Sequence, residues 1–215
     1  MKFIIAIFLL IPFFQKETVY KVTYTRTDHK AKEKVEKLPF SDKDAVLDLL
    51  EEREYTLYAG KRANLYEGSE SYQIYYDKAK NIFLKKTVLP DGRSVLVKYD
   101  SISFKWYIDQ KPEKLGHYTV YKATTTYKGN PVIAWFTPEI PVDGGPELFH
   151  GLPGLILVLK WKNYTYTTTK IEETNTDIQP PSAPEQITAK EYEEILGKHG
   201  FNLGSDNFKV IIINN

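Results

Sequence analysis

Tyr118-Thr-Val-Tyr-Lys-Ala-Thr-Thr-Thr-Tyr127, then Lys128-Gly129-Asn130-Pro131, then Val132-Ile-Ala-Trp-Phe-Thr137 is the stretch that decides the fold. Both outer runs are built from β-branched and aromatic residues, which suit a pleated and half-buried surface. The middle four are turn residues, each with its own reason to bend the chain. Two strand-like runs around a compact turn predict an antiparallel hairpin.

Working outward, the same chemistry recurs. Tyr20, Val22 and Tyr24 alternate with Lys21, Thr23 and Thr25, the period-two pattern of a strand with one buried face. Tyr72, Ile74 and Tyr76 repeat it, as do Val95, Val97 and Tyr99, and Phe104, Trp106 and Ile108. Pro90-Asp91-Gly92 punctuates these runs as a turn. Sixteen Tyr, eleven Phe and three Trp favour strands over helices as the main element. The predicted fold is therefore mainly β, a large curved antiparallel sheet or sandwich-like body with one or two short helices.

Two segments carry helix signals. Ser41 to Asp44 can cap a helix over 42–53, and Thr188-Ala-Lys-Glu191 is a capping box with Ile187 placed to staple onto Tyr192. Between strands and helix, Gln179-Pro-Pro-Ser-Ala-Pro184 reads as a stiff linker that cannot sustain a hydrogen-bond ladder. Phe208 to Ile213 has strong strand propensity and is expected to close a sheet edge.

The chain has 215 residues, enough for one domain or at most two small ones. Its 29 Lys and Arg against 28 Asp and Glu leave a formal charge of +1, without the basic excess of a nucleic-acid binder. It has no cysteine, which excludes disulfides, thiolate metal sites, thiol catalysis and a lipoprotein anchor. Met1-Lys2, the apolar run Phe3 to Phe14 and then Gln15-Lys16-Glu17 have the layout of a secretory signal peptide. That run is shorter than the roughly 20 residues a spanning helix needs. The expectation is a signal over 1–15 and a single β-rich domain over 16–215. The product is then exported, in the periplasm or against the outer membrane, with no integral span once the signal is removed.

Residues 116–160 are the most unusual. They contain Ala134-Trp135-Phe136-Thr137-Pro138-Glu139-Ile140-Pro141, then Gly144-Gly145-Pro146, then Gly151-Leu152-Pro153-Gly154-Leu155-Ile156. Leu152 to Leu155 fits a type II turn, with Pro153 presetting one φ and Gly154 supplying the positive one. Around it, the prolines and glycines imply a long ordered loop, the kind of segment that often carries function on a β scaffold.

This region resembles the GLPGLI family, exported Bacteroidetes proteins named for the hexapeptide that stands intact at Gly151 to Ile156. Lys122-Ala123-Thr124, Gly129, Ala134 to Thr137, Glu139-Ile140-Pro141 and Gly145-Pro146 also fall where the family pattern has them. The resemblance is strong over 114–160 and looser upstream, at Leu65 to Tyr76. Val120 stands where members often carry Cys, and Glu147-Leu148 where an aromatic usually follows Gly-Pro. The resemblance implies export and no particular activity.

Asp143, Glu147 and His150, with Glu139, could supply ligands to a divalent cation or an acid–base pair. A metal-assisted hydrolase using loop 139–150 is thus the alternative function. No established metal, nucleophile-elbow or phosphate-loop spacing is present, so no metal and no cofactor is assigned. The aromatic faces have two readings, a pocket for an apolar molecule or an ordinary core. The leading function is non-catalytic, a binding or accessory protein for an apolar ligand or an outer-membrane partner. Trp135, Phe136, Leu152 and Leu155 would shape its surface, with Glu139, Asp143, Glu147 and His150 beside them.

Overall fold

The computed structural model of the protein describes residues 17–37 and 53–199. The expected signal, the helix over 42–53 (all but its last residue) and the strand Phe208–Ile213 lie outside the described residues. Within them the chain forms a mainly β body, as its alternation requires. The strands are β1 (Val19–Asp28), β2 (Glu54–Ala59), β3 (Ala63–Ser69), β4 (Tyr72–Asp77), β5 (Ile82–Val88) and β6 (Ser94–Tyr99). They continue as β7 (Tyr107–Leu115), β8 (Tyr118–Tyr127), β9 (Asn130–Thr137), β10 (Leu155–Trp161), β11 (Tyr164–Thr174) and β12 (Glu185–Thr188). Two helices accompany them, α1 (His29–Glu36) and α2 (Ala189–Lys198).

All twelve strands share one open sheet in the order β12-β6-β5-β4-β3-β2-β1-β11-β10-β9-β8-β7. The pairings are antiparallel except β12, which runs parallel to β6. The β8–β9 hairpin turns at Lys128 and Gly129, both at positive φ (48° and 76°). That is the two-residue geometry whose twist matches the flanking strands. At α2 the capping box is complete, with Thr188 Oγ1 accepting from the Glu191 amide and the Glu191 carboxylate accepting from Thr188. Ile187 and Tyr192 pack together with Leu89, Val95, Val97 and Leu196, so the staple joins the helix to β6.

The sheet curls. Lys128, at the tip of the β8–β9 hairpin, reaches Glu193 of α2 at 2.8 Å, although α2 packs beside β6 near the far end of the sheet. The inner face of the curl carries Val22, Tyr24, Leu57, Tyr66, Ile74 and Phe83 from one half, and Val120, Ala123, Val132, Ala134 and Phe136 from the other. Such a trough buries its aromatics only if something fills it.

Two segments outside the sheet do so. One is the long connection 138–154, described below. The other is 101–106, which the structure leaves unpaired, so that of the strand expected from the alternation of Phe104, Trp106 and Ile108 only Tyr107 and Ile108 are paired. Phe104 instead packs on Phe149 (5.1 Å) and Tyr127 (5.6 Å), and the Trp106 indole N–H donates to the His150 carbonyl at 2.7 Å. Two large rings gain more by closing the trough than by extending an edge strand. The edge strand proper, β7, starts at Tyr107 and is exposed throughout. Pro112, flanking charges and a register shift between Ile108 and Pro112 deter another strand from adding there.

The return of the chain into β10 depends on Gly154. Its φ is +155°, and a Cβ there would lie 2.1 Å from the Thr137 carbonyl oxygen and 2.7 Å from its carbon. Gly154→Ala is expected to cost about 3 kcal/mol or more, because backbone must move to admit the methyl group. For a domain of this size that lowers Tm by roughly 6–12 °C. Gly92→Ala is the control, since Gly92 also has positive φ (88°) but open space around it. It should cost about 1 kcal/mol. Thermal unfolding of the two variants beside the parent checks this, and equal costs would mean that the Thr137 contact is not tight.

Candidate functional site

The segment 138–154 is held by its own backbone. Val142 N–H donates to the Ile140 carbonyl at 2.8 Å, and Gly154 N–H to the Leu152 carbonyl at 2.8 Å. Both are i to i+2 bonds closed around a proline, Pro141 and Pro153, which is the geometry of a γ-turn. The expected type II turn over 152–155 is thus replaced. Leu155 N–H bonds instead to the Ile140 carbonyl (3.2 Å), and Ile156 N–H to the Gly144 carbonyl (2.9 Å). Tertiary partners captured the amide that a local turn would have used.

Glu147 sits at the centre of the second half. It is not a glycine, yet its φ is +59°. The tyrosine hydroxyls that meet its carboxylate offset that strain. Tyr166 donates to Oε1 at 2.8 Å, and Tyr72 donates to Oε2. Tyr66 and Tyr55 stack above one another nearby, 5.5 Å between centroids, with the Tyr66 hydroxyl buried and lacking a protein partner. Arg26 lies over the rings of Tyr55 (5.1 Å) and Tyr164 (4.8 Å); burial works against its charge, and the surrounding tyrosines and then Glu147 more than offset it. Burial first, and then the neighbouring Glu147 charge, push the Tyr66, Tyr72 and Tyr166 hydroxyls well above the usual tyrosine range. The Tyr72 and Tyr166 hydroxyls are held as neutral donors to Glu147.

Asp143 and His150 form a separate cluster. Asp143 Oδ1 accepts from the Gly151 amide at 2.6 Å, and its carbonyl accepts from Asn64 Nδ2 (2.9 Å) and Lys78 Nζ (2.5 Å). Lys78 Nζ also donates to the Gly60 carbonyl at 2.7 Å. The His150 ring stacks against Tyr76 (4.5 Å) and Phe83 (5.2 Å), with Nε2 bonded to the Ile102 carbonyl at 3.0 Å. Burial lowers the His150 pKa, Asp143 opposes the shift and Lys78 adds to it. Stacked and buried, the ring serves as packing as much as chemistry.

The structure therefore divides the sequence candidates. Asp143 and His150 share one cluster, and Glu147 belongs to another, with the tyrosines. Glu139 lies apart, exposed, its carboxylate accepting from the Thr119 amide at 2.8 Å. No group of three or more metal-ligating side chains occurs among the described residues. Phe136, Leu152, Leu155 and Ile156 are buried in the core rather than shaping a surface. Trp135 points the other way, to the outer face, with Lys122 and Lys160 over its ring and its indole N–H on Glu113 (3.2 Å). Gly151 and Pro153 are exposed.

What the chain leaves open is elsewhere. A cleft of about 700 Å³ lies between the β2–β3 turn, the end of β4 and residues 176–179, with Glu17 at its border. Gly60 forms part of its wall, and a Cβ there would meet Ala63 O, Glu17 Oε1 and Ile178 Cδ1, all at 3.3 Å. Through Lys78 this wall shares a hydrogen-bond donor with the Asp143 carbonyl. The alternation pattern had no means of showing a cleft whose sides come from segments more than a hundred residues apart.

A family model described as a protein of unknown function (Porph_ging) matches residues 124–158, a short part of the chain. No curated protein matches it. Among solved structures, the chain is similar to PNGF-II in two crystal forms. In the C2 form the TM-score is 0.61 at 14% identity, and in the P21 form 0.62 at 16%. Each covers 84% of this chain and 33% of PNGF-II, so the chain spans about a third of that protein's length. At such identity the likeness is one of fold.

Glu147 generates a direct expectation. Glu147→Ala strands two buried hydroxyls and should cost about 2–4 kcal/mol, whereas Glu147→Gln keeps one acceptor and should cost about half as much. Denaturant unfolding of both variants measures the difference. An Ala variant as stable as the parent would show that the carboxylate does not hold the loop.

Proposed function

We propose that the chain is an exported cell-envelope protein of the GLPGLI type that acts as a non-catalytic binding or accessory module. The observation that carries this reading is the state of the candidate catalytic groups. The Glu147 carboxylate is occupied by tyrosine hydroxyls, Asp143 by backbone amide and His150 by ring stacking, so each spends its chemistry on holding the loop. A general acid or base needs hydrogen-bond reach to a substrate proton. These groups reach the chain itself.

Of the two partner classes, an outer-membrane or envelope protein fits better than an apolar molecule in the aromatic trough. Residues 138–154 and 101–106 already fill that trough, with Phe149, Leu152 and Phe104 against its rings. The likeness to one third of a longer protein supports the idea of a module that works beside another. Export rests on the charge and hydropathy layout of the first seventeen residues.

Fractionation of the native host with mass analysis of the intact protein tests the reading. The expected result is an envelope fraction whose polypeptide begins at Gln15 or Lys16 and co-purifies with a partner under mild extraction. A cytoplasmic polypeptide beginning at Met1 would overturn it.

A further inference from the structure

The cleft has a floor and a rim of different chemistry. Val19, Ala63 and Ile178 supply apolar surface, while Arg62, Asp77 and Asp177 supply charge. Its volume of about 700 Å³ lies in the range of small-ligand sites.

The charges at the rim do not cancel. Arg62 is committed to Glu17, its backbone amide on Oε1 (3.0 Å) and its Nε on Oε2 (2.8 Å). Asp77 is committed to Lys80, which donates its amide to Oδ1 (3.0 Å) and its ammonium to Oδ2 (2.8 Å). Lys78 is turned inward onto the Gly60 and Asp143 carbonyls. Asp177 receives only the neutral amide of Gln179, at 2.5 Å. Among the described residues, the pairing leaves one carboxylate charge at the mouth of an apolar-floored cleft.

We infer that this cleft binds a singly charged organic cation with an apolar stem, a primary alkylammonium group or the lysine side chain of a partner polypeptide. The inference rests on the binding-module reading and names the chemistry that such a module would recognise. The stem lies along Val19, Ala63 and Ile178 and removes apolar surface from water, which supplies most of the affinity. The ammonium group meets Asp177, with Asp77 beside it, and supplies the selectivity.

The test uses the mature chain with isotope-labelled backbone and methyl groups, followed by NMR. Hexylammonium chloride is titrated against hexanol, and the end-blocked tripeptide acetyl-Ala-Lys-Ala amide against its Nζ-acetylated form. The cationic member of each pair should shift the Ile178 methyl and Tyr75 amide signals, and the neutral member should not. Asp177→Asn should weaken the cation about fivefold, the scale of one partly exposed ion pair. Asp77→Asn combined with it should weaken the cation further while keeping an oxygen for the Lys80 amide, so both variants should melt like the parent. Tighter binding of the tripeptide than of hexylammonium assigns the site to a partner polypeptide, and the reverse assigns it to a small amine.

Hexanol binding as tightly as hexylammonium overturns the cation inference and leaves the binding-module reading standing. Silence from every probe up to about 10 mM, a concentration at which weak binding registers, also overturns it. The module reading is judged separately, by export and co-purification.

Discussion

At residue 154 there is room for a hydrogen atom and nothing larger. A side chain would enter the Thr137 carbonyl, 2.1 Å from the Cβ position. That contact is where the connection after β9 comes back against the end of the same strand, pairing Leu155 with Thr137. The connection between the two points is thereby folded over the trough of the sheet, with Ile140, Val142, Phe149 and Leu152 buried in it. Gly145 repeats the constraint at smaller scale, with Ile156 Cδ1 2.6 Å from its Cβ position. Gly154 is therefore a steric requirement of a close backbone approach, whereas Gly151, at φ +89° with no atom closer than 3.6 Å, serves the conformation of the chain.

Inward burial of a loop brings polar backbone into an apolar space, and this must be compensated. Here the compensation is divided among remote strands. Asn64 of β3 and Lys78 beyond β4 satisfy the Asp143 carbonyl, the Tyr24 hydroxyl of β1 donates to the Ile156 carbonyl at 2.6 Å, and Tyr72 and Tyr166 take the Glu147 carboxylate. Each partner comes from the half of the sheet opposite β9 or from β11. The loop thus ties the two halves of the curl together, and Lys78 passes the connection on to Gly60 and the open cleft. A core element and a surface feature share one donor.

The regular parts of this architecture were legible because their signals are local. Strict alternation marked β1, β4 and β6, turn residues between two strand-like runs marked the β8–β9 hairpin, and Thr188 with Glu191 marked the start of α2. Of the edge strand β7 only Tyr107 and Ile108 fell within a predicted run; the rest is exposed on every residue and carries Pro112, so it lacks the one-sided apolar pattern. Phe104 and Trp106 had the pattern and not the strand, since rings of that size are drawn into the trough. The turn at Pro153 has type II composition but gives its Leu155 amide to Ile140. At the site, the spacing of Asp143, Glu147 and His150 suggested one cluster. Glu147 found its tyrosines at positions 72 and 166, and pairing across that much chain leaves no mark on sequence spacing.

The central claim is that the connection 138–154 is anchored in the core through Ile140, Val142, Phe149 and Leu152, although it forms no regular strand. Hydrogen exchange followed by mass spectrometry tests it most directly, because exchange reports the free energy of opening each segment. On this account the amides of Gly151, Gly154, Leu155 and Ile156 exchange as slowly as those of β9 and β10, and lose protection together with them in denaturant. Exchange of 140–154 at the rate of an exposed loop, with β9 and β10 still protected, would contradict it.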